Sequence, residues 1–236
     1  MSTTTTTKRV PLGQKAAFGA GHLVLNLYPG ALGFFMFFLL TAFGMDPFLA
    51  GLLGGLPRFF DALTDPIMGF ISDNTSSKWG RRRPYILVGG ILSAITFVLL
   101  WQLDENNSAD YNFWYFLIMS MVFLIGNTMF ATPLVGLGYE MTSDYNERTR
   151  LMAFSQTVGL LAWVIVPWFW VIIADPDIFS NQAEGVRTMA MYVGIACLFL
   201  GLLPAIFCRG IDAAPMGNRK KLSFASLIGN MKDLFR

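Results

Sequence analysis

Six stretches of the chain stay apolar for about 20 residues or more, the length at which a helix crosses roughly 30 Å of hydrocarbon. They are 20–42, 48–72, 84–103, 113–138, 151–174 and 188–207. Only short polar segments separate them, so the pattern predicts an all-α protein with a bundle of six transmembrane helices over 20–208. The polar start, MSTTTTTKRVPLGQK, predicts a tail over 1–19, and it leads into a full-length span rather than the short apolar region of a cleavable signal. Beyond the sixth stretch the pattern changes. A basic run, Arg219, Lys220 and Lys221, precedes Phe224, Ile228, Met231 and Phe235 at the spacing of one helix face. This predicts a connector over 209–236 with an amphipathic helix on the membrane surface.

Composition agrees and excludes an ordinary soluble domain, since 54% of the 236 residues are hydrophobic and only 14% are charged. The net charge of +2 hides an asymmetry. Of the 17 lysines and arginines, Arg187 falls on one side of the bundle, Arg58 within a span, and all the others on the opposite side. Asp46, Asp104, Glu105, Asp110, Asp175, Asp177 and Glu184 share the side of Arg187. Positive residues are retained inside, so the chain is expected in the cytoplasmic (inner) membrane with both termini cytoplasmic. The basic clusters lie next to the membrane, which excludes nucleic acid as a partner and leaves membrane lipids as the surroundings. Cys197 and Cys208 both fall in the last span, too far apart to bridge, and read as packing residues.

One span carries charge. In PRFFDALTDP, Arg58, Asp61 and Asp65 fall within about 60° of one another on a helix. A charge near the bilayer centre costs on the order of 2.5–3.5 kcal/mol, so this face must look into protein or water. Arg58 and Asp61 as a structural ion pair, with Asp65 hydrogen-bonded to a neighbouring helix, is one explanation. The other is a cation site: Asp61, Asp65, the Thr64 hydroxyl and a carbonyl freed by Pro66 form an oxygen set suited to a hard monovalent cation. Two close carboxylates can also carry a proton, so Na⁺, H⁺ and Li⁺ stay open as the coupling ion. Asp61, Asp65 and Asp73 also suggest a membrane-embedded Mg²⁺-dependent transferase. Asp61 and Asp73 lie about 18 Å apart along a continuous helix, too far to share an ion. Nothing else resembles a catalytic residue, a cofactor site or a metal cluster, and the chain does not read as an enzyme.

Three motifs in order carry a family resemblance: DALTDPIMG, then SKWGRRRPYIL, then PLVGLGYEMTSDYNERTRLMAF. The acid-glycine-arginine loop between the second and third spans resembles that of the major facilitator superfamily. Together the motifs resemble the glycoside–pentoside–hexuronide:cation symporters, the melibiose permease-like group. The resemblance implies cation-coupled symport of a small solute, most simply a sugar or glycoside, with a lysolipid-type headgroup as the alternative. It assigns Asp61, Asp65 and Thr64 to the cation. It also implies a cytoplasmic gate of Asp73, Arg81, Arg82, Arg83, Glu140, Asp144 and Arg148.

The family's sugar-binding positions depart from the melibiose pattern: His22 replaces a first-span acid, Ala131 a fourth-span acid, Val135 a tryptophan and Gln156 an arginine. Polar residues remain to line a cavity, and His22, Asn26, Arg58, Asn127, Thr128, Gln156 and Trp163 are the expected substrate contacts, with Thr132 nearby. Carriers of this superfamily hold substrate between two six-helix halves. The chain matches the N-terminal half, so a second half is an expected partner, and the sequence reads as a fragment of a longer carrier.

Overall fold

A computed structural model describes residues 9–75, 77–104 and 106–210. Six helices follow in order: α1 (Leu12–Thr41), α2 (Pro47–Asn74), α3 (Arg83–Leu100), α4 (Ala109–Glu140), α5 (Tyr145–Ile173) and α6 (Gln182–Phe207). The expected surface helix of the connector lies outside the described residues, as does the start of the tail.

Five of the helices outrun the apolar stretches that predict them, while α3 ends three residues short of its own. The first begins at Leu12 instead of residue 20, so the end of the expected tail is helical. The fifth and sixth also begin six residues early. Side chains cap the first turns of α2, α5 and α6, whereas that of α1, after Pro11, has no side-chain cap. Asp46 accepts from Phe48 N at 2.8 Å, with Pro47 pre-set for the first turn. Asp144 accepts from Glu147 N at 3.0 Å, and Asn181 from Glu184 N at 2.7 Å. Five of the six helices are long and apolar enough to cross a membrane. The exception, α2, has 28 residues, about 42 Å of helix. It is long enough, and Arg58, Asp61 and Asp65 are what lower its apolarity.

The packing pattern repeats. The first helix packs chiefly on α5 and α6, the fourth on α2 and α3, and α3 meets α6. Exchanging α1 with α4, α2 with α5 and α3 with α6 reproduces the same set of contacts. The corresponding helices start 97, 98 and 99 residues apart. The bundle is therefore two three-helix units of opposite direction, the internal repeat seen in transporter folds.

Lipid tails are as apolar as the side chains, so close packing rather than water exclusion holds such helices together. Glycine provides the approach. A Cβ on Gly89 of α3 would lie 2.4 Å from the Phe130 backbone nitrogen on α4, and one on Gly126 would lie 2.8 Å from Ser93 N. Between the crossings, Tyr28, Phe35, Phe97, Trp101, Phe116 and Phe123 form a buried aromatic core with edge and tilted contacts.

The two ends of the bundle differ in charge as the sequence predicts. At the acidic end, Arg187 is tied down: its Nε donates to the Leu103 carbonyl at 2.6 Å and its Nη2 lies 3.9 Å from Asp104. The Asn106 backbone N–H, then its side chain and Arg187, hold the Asp104 carboxyl below the usual carboxylate range.

Candidate functional site

The acids of α2 face α4. Asp61 is half-buried, and its Oδ1 accepts from the Thr128 hydroxyl at 3.0 Å. Thr64 donates to the Asp61 carbonyl at 3.2 Å and lies 3.4 Å from the Thr128 hydroxyl. One turn on, exposed Asp65 accepts from Thr132 at 3.3 Å. Two carboxylates and three hydroxyls from two helices thus converge inside a span. Pro66 lies within α2 and cannot donate to the carbonyl one turn before it. Arg58 is exposed and makes no ion pair within 4.0 Å among the described residues, so the structural Arg58–Asp61 pair does not form. Thr128, expected among the substrate contacts, sits with the acids. The sequence offers the cue that Thr128 and Thr132 repeat the i, i+4 spacing of Asp61 and Asp65, but not that α4 is the helix α2 packs against.

A second polar group forms where α1 crosses α5. The buried His22 ring is reached by the Gln156 amide, and its Nε2 has no aligned hydrogen-bond partner among the described residues. Asn26 donates to the His22 carbonyl at 2.9 Å and accepts from the Trp163 indole at 3.3 Å. Gly159 makes this crossing possible, because a Cβ there would lie 2.7 Å from Asn26 Nδ2. Trp163 also lines an aromatic cleft with Pro29, Gly33, Phe34, Phe37 and Trp170. Four of the expected substrate residues, His22, Asn26, Gln156 and Trp163, are therefore together. Among the described residues, Arg58 on α2 and Asn127 on α4 make no hydrogen bond to them, and Asn127 Oδ1 is buried without a partner.

At the basic end, the turn between α2 and α3 divides its three arginines. Gly80, at φ +96°, supplies a backbone conformation that side chains disfavour. Arg81 pairs with Glu140 at the end of α4, its Nε donating at 2.8 Å, and Arg82 Nη2 pairs with Asp73 at 2.5 Å. The Arg82 Nε lies 3.2 Å from Glu140 without hydrogen-bond alignment. Its guanidinium fills a slot on α4 that only glycine leaves open, since a Cβ on Gly136 would fall 1.2 Å from Nη1. Arg83 goes elsewhere, donating to the Ala205 and Ile206 carbonyls at 2.6 and 2.8 Å. It caps the end of α6, where carbonyls lack helical partners.

Asp144 and Arg148, also expected in the gate, form a separate cluster. Asp144 caps α5, and Arg148 donates to the Thr142 carbonyl at 3.1 Å. Beside them stands a further acid of the same charged stretch. Glu147 is buried and accepts from Lys15 Nζ at 2.7 Å and Val10 N at 3.1 Å, joining the start of α1 to the start of α5. Its signal in the sequence was its place three residues after the capping Asp144, in a first turn that packs inward. Cys197 and Cys208 are buried free thiols, with Cys208 just past the end of α6.

Known proteins resemble this chain along most of its length. A profile of the family described as MFS/sugar transport protein matches residues 17–236. An uncharacterized symporter of Synechocystis is 30% identical over 211 residues, 86% of this chain and 39% of that protein. Sodium-dependent lysophosphatidylcholine symporter 1 of Gallus gallus is 29% identical over 160 residues, 67% of this chain and 30% of that protein. The inner membrane symporter YicJ of Escherichia coli is 27% identical over 161 residues, 65% of this chain and 34% of that protein. The chain thus spans between 30% and 39% of the length of these curated relatives. They are named as transporters, and the apolar helices make this a multi-pass membrane protein. With almost the whole bundle matched, the chain belongs to the MFS/sugar transport protein family, within the major facilitator superfamily.

Proposed function

We propose that this chain provides the cation site and one wall of the solute cavity of a cation-coupled symporter for a small neutral solute, a sugar or glycoside. The observation that carries the reading is the carboxylate pair of a membrane span, Asp61 and Asp65, met by hydroxyls from α4. Two such acids are costly in a bilayer unless a cation completes them. Asp61, Asp65, Thr64 and Thr128 supply its ligands. Na⁺ is the ion favoured by this all-oxygen set, and it agrees with the sodium-dependent naming of the lysophosphatidylcholine symporters.

The solute meets His22, Asn26, Gln156 and Trp163, which offer hydrogen-bonding groups and an indole face suited to uncharged hydroxyls. This group, without a charge beyond what His22 can acquire, favours a glycoside over a zwitterionic headgroup. Bound ion and bound solute each raise the other's affinity, as linkage requires. Asp73, Arg81, Arg82 and Glu140 form the cytoplasmic gate, in the cytoplasmic membrane with the basic end inside. A second six-helix unit closes the cavity. Uptake of a panel of labelled glycosides is measured in vesicles carrying the chain with a second six-helix half, with and without a Na⁺ gradient. Gradient-driven uptake that disappears in Asp65→Asn is expected; uptake indifferent to Na⁺ and to Asp65 would sink the reading.

A further inference from the structure

We infer that Thr132 is a positioning residue for the coupling cation, its hydroxyl holding the exposed Asp65 carboxylate where it can share an ion with Asp61. The inference rests on the cation-site reading above and adds to it a residue that does not itself bind the ion.

Threonine in a helix commonly turns its hydroxyl back onto a carbonyl of the preceding turn. Thr64, Thr96, Thr149 and Thr157 do so, at 3.2, 2.7, 3.0 and 2.9 Å. Thr132 instead reaches from α4 across to Asp65 on α2. Acids on one helix and hydroxyls on the other share the i, i+4 spacing, so two rungs form side by side.

The rungs differ in what else supports them. Thr128 is buried, and its partner Asp61 is half-buried with Thr64 alongside. Asp65 is exposed, and the Thr132 hydroxyl is its one hydrogen-bond partner among the described residues. Without that bond the carboxylate is free to change rotamer, and an ion that needs both acids must first order it. The Thr132 methyl lies over Gly69, where a Cβ would sit 3.6 Å away, leaving the hydroxyl toward Asp65. Groups that orient a metal ligand typically contribute 10–100-fold to affinity. A bond of 3.3 Å belongs at the low end, about tenfold.

The test titrates NaCl against choline chloride at constant ionic strength and follows the unfolding temperature of the full chain in detergent micelles, with LiCl as a second probe. Thr132→Val should move the Na⁺ midpoint up about tenfold, and Thr132→Ser should keep it within about twofold of the wild type. Thr132→Ala, smaller than the native side chain, should repeat the loss even where valine packs badly. An unchanged midpoint in Val and Ala, or a serine variant as weak as valine, overturns the inference. The reading beneath it fails separately: a wild-type chain with no shift in Na⁺ or Li⁺ removes the cation site and Thr132 with it. A wild-type shift lost in Asp65→Asn but untouched by valine removes Thr132 alone.

Discussion

Placing a methyl group on Gly136 should evict Arg82 from its slot on α4, because the new Cβ would lie 1.2 Å from Nη1 and 2.2 Å from Cζ. The guanidinium is at the end of a flexible chain and can leave, so the cost is that of its partners. A charge-assisted hydrogen bond contributes about 1.5–3 kcal/mol. The bond to Asp73 deserves about 1 kcal/mol, since that carboxylate is 40% exposed. The contact with Glu140 adds about 0.5 kcal/mol, being misaligned while Arg81 keeps hold of the same oxygen. Alanine returns about 0.5–1 kcal/mol through helix propensity. The expected net destabilisation is about 0.5–1 kcal/mol. In an Arg82→Ala background the same change should become stabilising by about 0.5–1 kcal/mol, a reversal of sign. Unfolding in mixed micelles with a double-mutant cycle reads the coupling directly. Hydrogen exchange over residues 73–83 should rise with Gly136→Ala only when Arg82 is present. An equal cost in both backgrounds would refute the slot.

Gly89→Ala should be far worse than Gly90→Ala beside it. The first places a Cβ 2.4 Å from α4 backbone, which cannot turn aside, whereas the second meets nothing closer than 3.6 Å. A loss of about 2 kcal/mol or more is expected at Gly89 and little at Gly90, read from unfolding midpoints; equal values would contradict the backbone contact. Glu147→Ala should cost about 2–3 kcal/mol, discounted because Lys15 is 18% exposed. It should also raise the reactivity of Lys15 toward an amine-modifying reagent, and unchanged protection of Lys15 would refute this tie between α1 and α5.

The spans were legible because a bilayer imposes one length and one polarity on every helix that crosses it. Their ends were less so, since the polar first turns at Leu12, Tyr145 and Gln182 lie where the membrane no longer dictates composition. Asp61 and Asp65 stood out for the same reason the spans did: an acid is conspicuous in hydrocarbon. Their partners were not visible. Thr128 is unremarkable in sequence, and only the packing of α2 on α4 gives its hydroxyl a carboxylate to meet. The three arginines after Gly80 show the limit most plainly. They are chemically identical neighbours, yet the turn sends two to the ends of α2 and α4 and the third to α6. Destinations of that kind depend on distances between helices, which local pattern does not encode.

The internal repeat has an implication for how the chemistry is distributed. At the 98-residue offset between the starts of α2 and α5, Asp61 and Asp65 correspond to Gly159 and Trp163. The same two places in a duplicated scaffold thus bear carboxylates in one copy and, in the other, a gap and an indole beside Asn26. Such a molecule has specialised its copies, one for charge and one for shape, while keeping the frame that relates them. On the proposed reading, changes to the indole side alter which solute is handled and leave the charge side undisturbed, since few contacts join the α1–α5 pair to the α2–α4 pair.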